Sequence, residues 1–445
     1  MSDSTQGKDP APSTANGTRT IRVEMLSRVE GEGRFHLRVK DGEVQEATLT
    51  IFEPPRFFET FLVGRSLFEV PDIVPRICGI CPVTYQMTGL RALEGILGIT
   101  PTPEIKALRR LMYCAEWIES HALHIFLLHA PDFLGYPNAM EMAKDHRGVV
   151  EMGLRMKKAG NTLLEVMGGR AIHPVSPRVG GFSRTPDPSA LQALLPELEW
   201  GLGAAQETVE LTNTFEMLDF EQPYVFVALD GGRDYPTEWG DQIAIGGRDP
   251  VPVEDFEKIF QERQVPQSPA LHCRLPDGTP YLTGPMARLN LFPDKLNPVA
   301  QASLERSGMR LPVLNPYRSI VVRAVELVHA FAEALDLIRG YRGAEPPYLE
   351  APLRAGEGVG ATEAPRGLQY QRYRVDEKGI ILESRIVPPT SQNQARIEAD
   401  LAGLAPEILA MTEGEATLRC EQLIRAYDPC ISCATHFLKL EIEKD

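Results

Sequence analysis

Two Cys-x-x-Cys pairs lie near opposite ends of this 445-residue chain: Cys78 and Cys81 in Arg76-Ile-Cys-Gly-Ile-Cys-Pro82, Cys430 and Cys433 in Asp428-Pro-Cys-Ile-Ser-Cys-Ala-Thr-His436. Two thiols three positions apart grip one side of a soft metal ion, and a four-sulfur site needs both pairs. A local zinc ribbon separates its pairs by about 15–20 residues. Here most of the chain lies between them, so the fold is expected to bring distant segments together around one ion. Gly79, Pro82 and Pro429 stiffen the two turns. Spacing alone leaves structural zinc and a redox metal both open.

Composition narrows the class. A net charge of −15 argues against a nucleic-acid surface and against anionic membranes. No apolar run reaches the roughly 18 residues of a transmembrane helix. Residues 1–20 have neither an apolar segment nor a twin arginine, and read as a disordered leader with a cytoplasmic location to follow. Of seven cysteines, four fall in the two pairs, which is metal usage and not a disulfide framework. Cys114, Cys273 and Cys420 stand singly in apolar surroundings, as buried inert thiols do.

Along the chain, Phe35, Leu37 and Val39 alternate with polar residues, Asp41-Gly42 turns, and Ala47, Leu49 and Ile51 alternate again, which predicts a β-hairpin. Thr102-Pro103-Glu104 opens a long helix whose stripe runs from Leu108 to about His129. Further helices are expected over 140–167, over 189–214 with a bend at Pro196, and after Asn315-Pro316 as far as Gly340. Residues 221–300 read as an irregular, partly stranded insert, 344–364 as a loop, then a hairpin to Ile386 and two helices. The expected class is mainly α with small β elements (α+β), a long-helix bundle with β-hairpins in its N-terminal and late C-terminal regions.

Several polar residues could carry chemistry. Glu30 in Arg28-Val-Glu-Gly-Glu-Gly33 suits a proton relay, against the commoner solvated turn. Glu59, in Arg56-Phe-Phe-Glu, needs a cation or hydrogen bonds to stay ionised, with Arg56 or Arg65 as the nearest partners in sequence. Arg366 sits in a Pro-Arg-Gly loop, and Thr390 in Val387-Pro-Pro-Thr-Ser-Gln-Asn393 offers a ligand donor or a helix cap. His121, His124 and His173 read first as core histidines. His436 stays within reach of the metal turn.

Taken together these motifs resemble the large, catalytic subunit of nickel-iron hydrogenases. Both cysteine signatures are present, and Arg28–Gly31, Arg56–Glu59, Gly168–Pro174, Gly284–Arg288, Glu363–Gly367 and Val387–Asn393 are similar to further family motifs. Tyr85-Gln-Met looks most like the soluble bidirectional NAD(P)-linked branch, the sulfhydrogenases. The resemblance implies reversible H2 cleavage at a nickel bound by Cys78, Cys81, Cys430 and Cys433. Cys81 and Cys433 would bridge to an iron carrying carbon monoxide and cyanide. It implies Arg366 over the open coordination site, Thr390 bonded to a cyanide, Pro365 among the cofactor contacts, and Glu30 as first proton acceptor beyond the metal. Cys430 would be the base, with Arg366 the alternative. Glu59, the carbonyl of Ile386 and His436 would hold Mg2+. No other iron-sulfur ligands and no Gly-x-Gly-x-x-Gly loop are present, so electrons are expected to leave through partners. These are an iron-sulfur small (delta) subunit, a ferredoxin-like subunit, and a diaphorase carrying FAD and NAD(P). Residues 21–436 would form one domain, and 437–445 would be a peptide removed by a maturation endopeptidase. Tyr85 and Ser120 stand where many relatives carry histidine and aspartate. The competing readings are a complex-I-like scaffold without the thiols and a zinc-stapled interaction protein.

Overall fold

The computed structural model describes residues 18–54 and 56–435. The proposed maturation peptide, His436 and all but the last residues of the expected leader lie outside that range. Where leader and described range overlap, Thr18–Val23 is a strand whose Thr18 pairs with Lys40. Ordered structure thus begins inside the expected leader.

Long helices form the frame: α1 (Pro82–Leu97), α2 (Pro103–Leu123), α3 (Arg147–Gly168), α4 (Leu195–Asn213), α5 (Ser319–Gly340), α6 (Pro389–Ile408) and α7 (Glu413–Ala426). The Thr102 hydroxyl caps α2 by accepting from the Ile105 N–H, with Pro103 in the first turn where a missing N–H costs nothing. Leu108, Leu111, Ala115, Ile118 and Ala122 are buried on one stripe, and α2 packs against both α3 and α5 while α5 packs against α4. Each fully buried Leu or Ile contributes roughly 1.5–3 kcal/mol relative to exposure, so this contact face is the main anchor of the bundle. The helical path continues as a π-helical segment at His124–His129, as the stripe to His129 anticipates.

The N-terminal hairpin is present as Gly33–Lys40 and Glu43–Ile51, with Thr18–Val23 added as a third antiparallel strand. Asp41 and Gly42 both take positive φ (51° and 83°), which lets the short turn follow the strand twist. Residues 221–300 do contain short strands, four of them in one mixed sheet.

Four expectations change. Pro196 does not bend a helix; it sits in the first turn of α4, after a separate short helix Pro188–Gln192. The helix expected from Met140 begins at Arg147, after a single turn at Ala139–Met142. Helix α1 was not anticipated. The late region is a three-stranded sheet, Gly356–Ala364, Gly367–Val375 and Ile381–Val387, so half of the expected loop is strand. Its glycines mark close packing and not a turn: a Cβ on Gly358 or Gly360 would lie 2.2 or 2.3 Å from the carbonyl oxygen of Ala92 or Thr88 on α1.

Candidate metal centre

The two cysteine turns meet. The four Sγ atoms lie within 4.8 Å of one another, all buried. Cys78 is 3.4 Å from Cys430, Cys81 3.7 Å from Cys433, and Cys430 2.9 Å from Cys433. Each pair ends on a helix start: Cys81 is the residue before α1, and Cys430 precedes the short helix Ile431–Ala434. The first α1 amides are satisfied from α2, where Glu116 accepts from Val83 N at 2.7 Å and Thr84 N at 3.2 Å. Burial nevertheless pushes the Glu116 carboxyl up to about 8. Cys78 Sγ accepts from the N–H groups of Ile80 and Cys81, at 3.3 and 3.4 Å. Hydrogen bonds from Cys430, Cys433 and Cys81 hold the Cys78 thiol well below its ordinary pKa, and the same cluster pushes Cys430 well above its own.

The C-terminal turn is held by three partners. Glu30 and Cys430 form a parallel bridge, with Ile431 N donating to Glu30 O at 3.0 Å. The Glu30 carboxylate lies 3.1 Å from Cys430 Sγ. Thr390 Oγ1 accepts from Cys430 N at 3.0 Å, leaving its own proton available to a ligand. Arg56 clamps the two turns together, donating to Ile77 O at 2.7 Å and also to Ser432 O. It does not pair with Glu59, as its sequence neighbourhood suggests. Glu59 accepts from Ile386 N at 2.7 Å and lies 3.7 Å from Arg385.

Arg366 is fixed over the cluster. Its Nε donates to Asp428 O at 2.8 Å, Nη2 to Asp428 Oδ1 at 3.0 Å and Nη1 to Ser120 Oγ at 3.3 Å. Asp428 has a left-handed backbone, φ 52°, which a non-glycine residue adopts only when its surroundings hold it. Burial works against the Arg366 charge, but Asp428 and the neighbouring thiolates outweigh it and keep its pKa well above the ordinary value. Behind this loop, Arg288 donates to the carbonyls of Ala364 and Pro365. Burial, followed by the Cys433 and Cys81 sulfurs, pushes the Tyr85 hydroxyl well above the usual phenol range.

Comparison with known proteins decides the family. The nickel-dependent hydrogenase family model matches residues 56–150 and 337–436. The sulfhydrogenase 1 alpha subunit of Pyrococcus furiosus is 33% identical over 423 residues, 94% of this chain and 98% of that one. The chain belongs to the nickel-dependent hydrogenase family. The sulfhydrogenase 2 alpha subunit of the same organism is 35% identical and covered completely. Among solved structures, the NAD+-reducing [NiFe]-hydrogenase in its H2-reduced state superposes with a TM-score of 0.85 at 28% identity, over 95% of this chain and all of that one. This hydrogenase subunit is accordingly the large, catalytic one of a nickel-iron enzyme, an oxidoreductase acting on H2. The scaffold and zinc-staple readings fall away.

The donor set fits that centre. Four buried sulfurs within 4.8 Å of one another, none in a disulfide, carry more negative charge when ionised than their surroundings can hold without a cation. The proposed magnesium site is represented by Glu59 and Ile386, with His436 outside the described residues. His121 and His124 behave as core residues, with His121 Nε2 2.9 Å from Glu326 and His124 Nε2 2.8 Å from Arg425 O, whereas His173 is only partly buried. His173 has a left-handed backbone, φ 52°, and faces Cys78. Asp428 as the partner of Arg366, Ser120 as its neutral second acceptor, and Arg56 as the clamp were not identified from sequence. Each carried a partial signal: Asp428 its place in the cysteine motif, Ser120 its place where many relatives carry aspartate, and Arg56 its place in the Arg56–Glu59 motif.

Proposed function

We propose that Cys78, Cys81, Cys430 and Cys433 would hold nickel, with Cys81 and Cys433 also serving an iron that would carry carbon monoxide and cyanide. When bound, the metal pair supplies the electrophile for heterolytic cleavage of H2. Cys430 takes the proton and Glu30 accepts it; the 3.1 Å contact between them is the observation that carries this reading. Arg366 polarises H2 as a fixed cation and does not act as the base, since its guanidinium is committed to Asp428. Thr390 donates its free hydroxyl proton to a cyanide. Pro365 lines the same pocket, its carbonyl held by Arg288 at 3.1 Å. Glu59, the Ile386 carbonyl and His436 would hold Mg2+.

Electrons leave to an iron-sulfur small subunit, and from there through a ferredoxin-like and a flavin subunit to NAD(P). The likeness to an NAD+-reducing enzyme and to sulfhydrogenase alpha subunits supports that assignment. Ile172, 52% exposed, lies 4.0 Å from where a Cβ on Gly79 would stand, an apolar side chain beside the Cys78 turn that suits a docking subunit. A maturation endopeptidase removes residues 437–445 from a single domain whose first strand starts at Thr18. None of the seven cysteines is in a disulfide, in keeping with a reducing cytoplasm. None of the described helices is long and apolar enough to cross a membrane. The test is H2-dependent reduction of NAD and NADP by the isolated complex. Reduction of either supports the assignment. H2 uptake with artificial dyes but with neither nucleotide contradicts it.

A further inference from the structure

We propose that Glu53 is the next station of the proton route after Glu30, and that Ser432 joins the two carboxylates. The inference rests on the assignment of Cys430 and Glu30 made above. Glu30 Oε2, the oxygen beside Cys430 Sγ, also accepts from Ser432 N at 3.0 Å. The hydroxyl of the same serine donates to Glu53 Oε2 at 3.1 Å. One residue thus binds the inner acid through its N–H and the outer acid through its hydroxyl. Glu53 Oε1 is in turn held by Glu32 N at 2.9 Å.

Burial falls along this line. Cys430 is 1% exposed, Glu53 is half-buried, and Glu32, Phe52 and Pro54 around it are exposed. Gly31 makes the approach possible: at φ 91°, a Cβ there would lie 2.6 Å from Glu53 Oε1 and 2.6 Å from Ile431 Cβ. Glu119, whose carboxyl senses both Arg366 and Cys78, is already ion-paired with Lys157 at 2.8 Å and is the poorer outlet.

The transfer balances without electrons moving. The S–H bond of Cys430 breaks as an O–H forms on Glu30. The Ser432 hydroxyl, directly or through one water, then accepts that proton while giving its own to Glu53. Glu53 releases it to bulk water and returns to carboxylate.

The test uses the assembled complex with Glu53→Gln and, separately, Ser432→Ala, which keeps the N–H bond to Glu30. Nickel content, the infrared bands of the iron-bound diatomic ligands, D2/H2O exchange and the solvent isotope effect on H2 oxidation are measured together. Glu53→Gln is expected to keep nickel and infrared bands while exchange slows by roughly tenfold or more and the isotope effect rises. Ser432→Ala is expected to slow exchange in the same sense, and Ser432→Thr to restore it. Unchanged exchange and isotope effect in Glu53→Gln overturn the proposal. So does a rate that falls only in proportion to lost nickel in both Glu53→Gln and Ser432→Ala, because Glu53 is then a structural post. Absence of exchange in the unmodified complex would count against the Cys430–Glu30 assignment instead.

Discussion

Replacing Arg288 with Met removes a charge behind the Ala364–Arg366 segment while nearly conserving volume. Arg288 is fully buried, with Nε and Nη2 each 2.8 Å from Glu326, Nη1 2.9 Å from Glu363 and 2.8 Å from Ala364 O, and its guanidinium 4.3 Å from the Trp117 ring. The variant leaves two carboxylates buried without their cation, a change that costs about 3–5 kcal/mol. At about 1.4 kcal/mol per factor of ten, local opening becomes roughly a hundredfold or more easier. Hydrogen exchange read by mass spectrometry on the assembled complex should show this in the strands Gly356–Ala364 and Gly367–Val375. Nickel content should fall too, as the Pro365-Arg366 segment loses its anchor. Burial already pushes Glu363 up to about 7 from 4.5. Without the arginine Glu363 rises further, and Glu326, which Arg288 holds well below the usual carboxylate range, rises too, so the folded form holds protons that the unfolded chain has released. The deficit therefore grows as pH climbs from about 5 to 8. Wild-type exchange and full nickel in Arg288→Met at about pH 8 would refute the reasoning.

Three further outcomes follow from the same geometry. Glu238 reaches Arg109 only at 3.5 Å, while Glu94 holds that arginine at 2.5 and 2.9 Å, and burial pushes Glu238 up to about 7 from 4.5. Its contribution should fade by roughly 3 kcal/mol as pH rises between those values. Glu238→Gln should flatten that part of the pH profile of thermal inactivation, and a profile identical to wild type would show the acid is ionised throughout. Gly360→Ala puts a methyl 2.3 Å from Thr88 O, and overpacking of this kind costs about 1–3 kcal/mol. Its thermal midpoint should drop through overpacking alone, since Gly360 has extended backbone, whereas Gly64→Ala, with open space around it but a left-handed backbone at φ 83°, shows the cost of strain without overpacking. Arg56→Ala cuts the link between Ile77 O and Ser432 O, and metal analysis should find less nickel per chain even where the far-ultraviolet spectrum is unchanged.

The sequence made some of this legible and hid the rest for physical reasons. The apolar stripe of α2 and the alternation around Asp41-Gly42 are local patterns, and both elements formed where periodicity placed them. The convergence of Cys78, Cys81, Cys430 and Cys433 was legible because thiols in half-sites have few other uses. Gly358 and Gly360 misled, since glycine marks a loop and a tight sheet-on-helix contact equally well. Pro196 misled similarly: a proline inside a helical pattern either bends a helix or starts one, and the local sequence does not distinguish them. Arg56 and Ser120 act through a carbonyl clamp and a hydroxyl acceptor, which depend on where distant backbone ends up and leave no mark in composition.

The central claim is that four thiolates from opposite ends of the chain share one nickel. X-ray absorption at the nickel edge of the anaerobically purified complex tests it most directly. The account predicts one nickel per chain in a sulfur-only protein shell of four thiolates with an iron neighbour. Zinc in its place, or nickel bound by nitrogen and oxygen ligands, would contradict it.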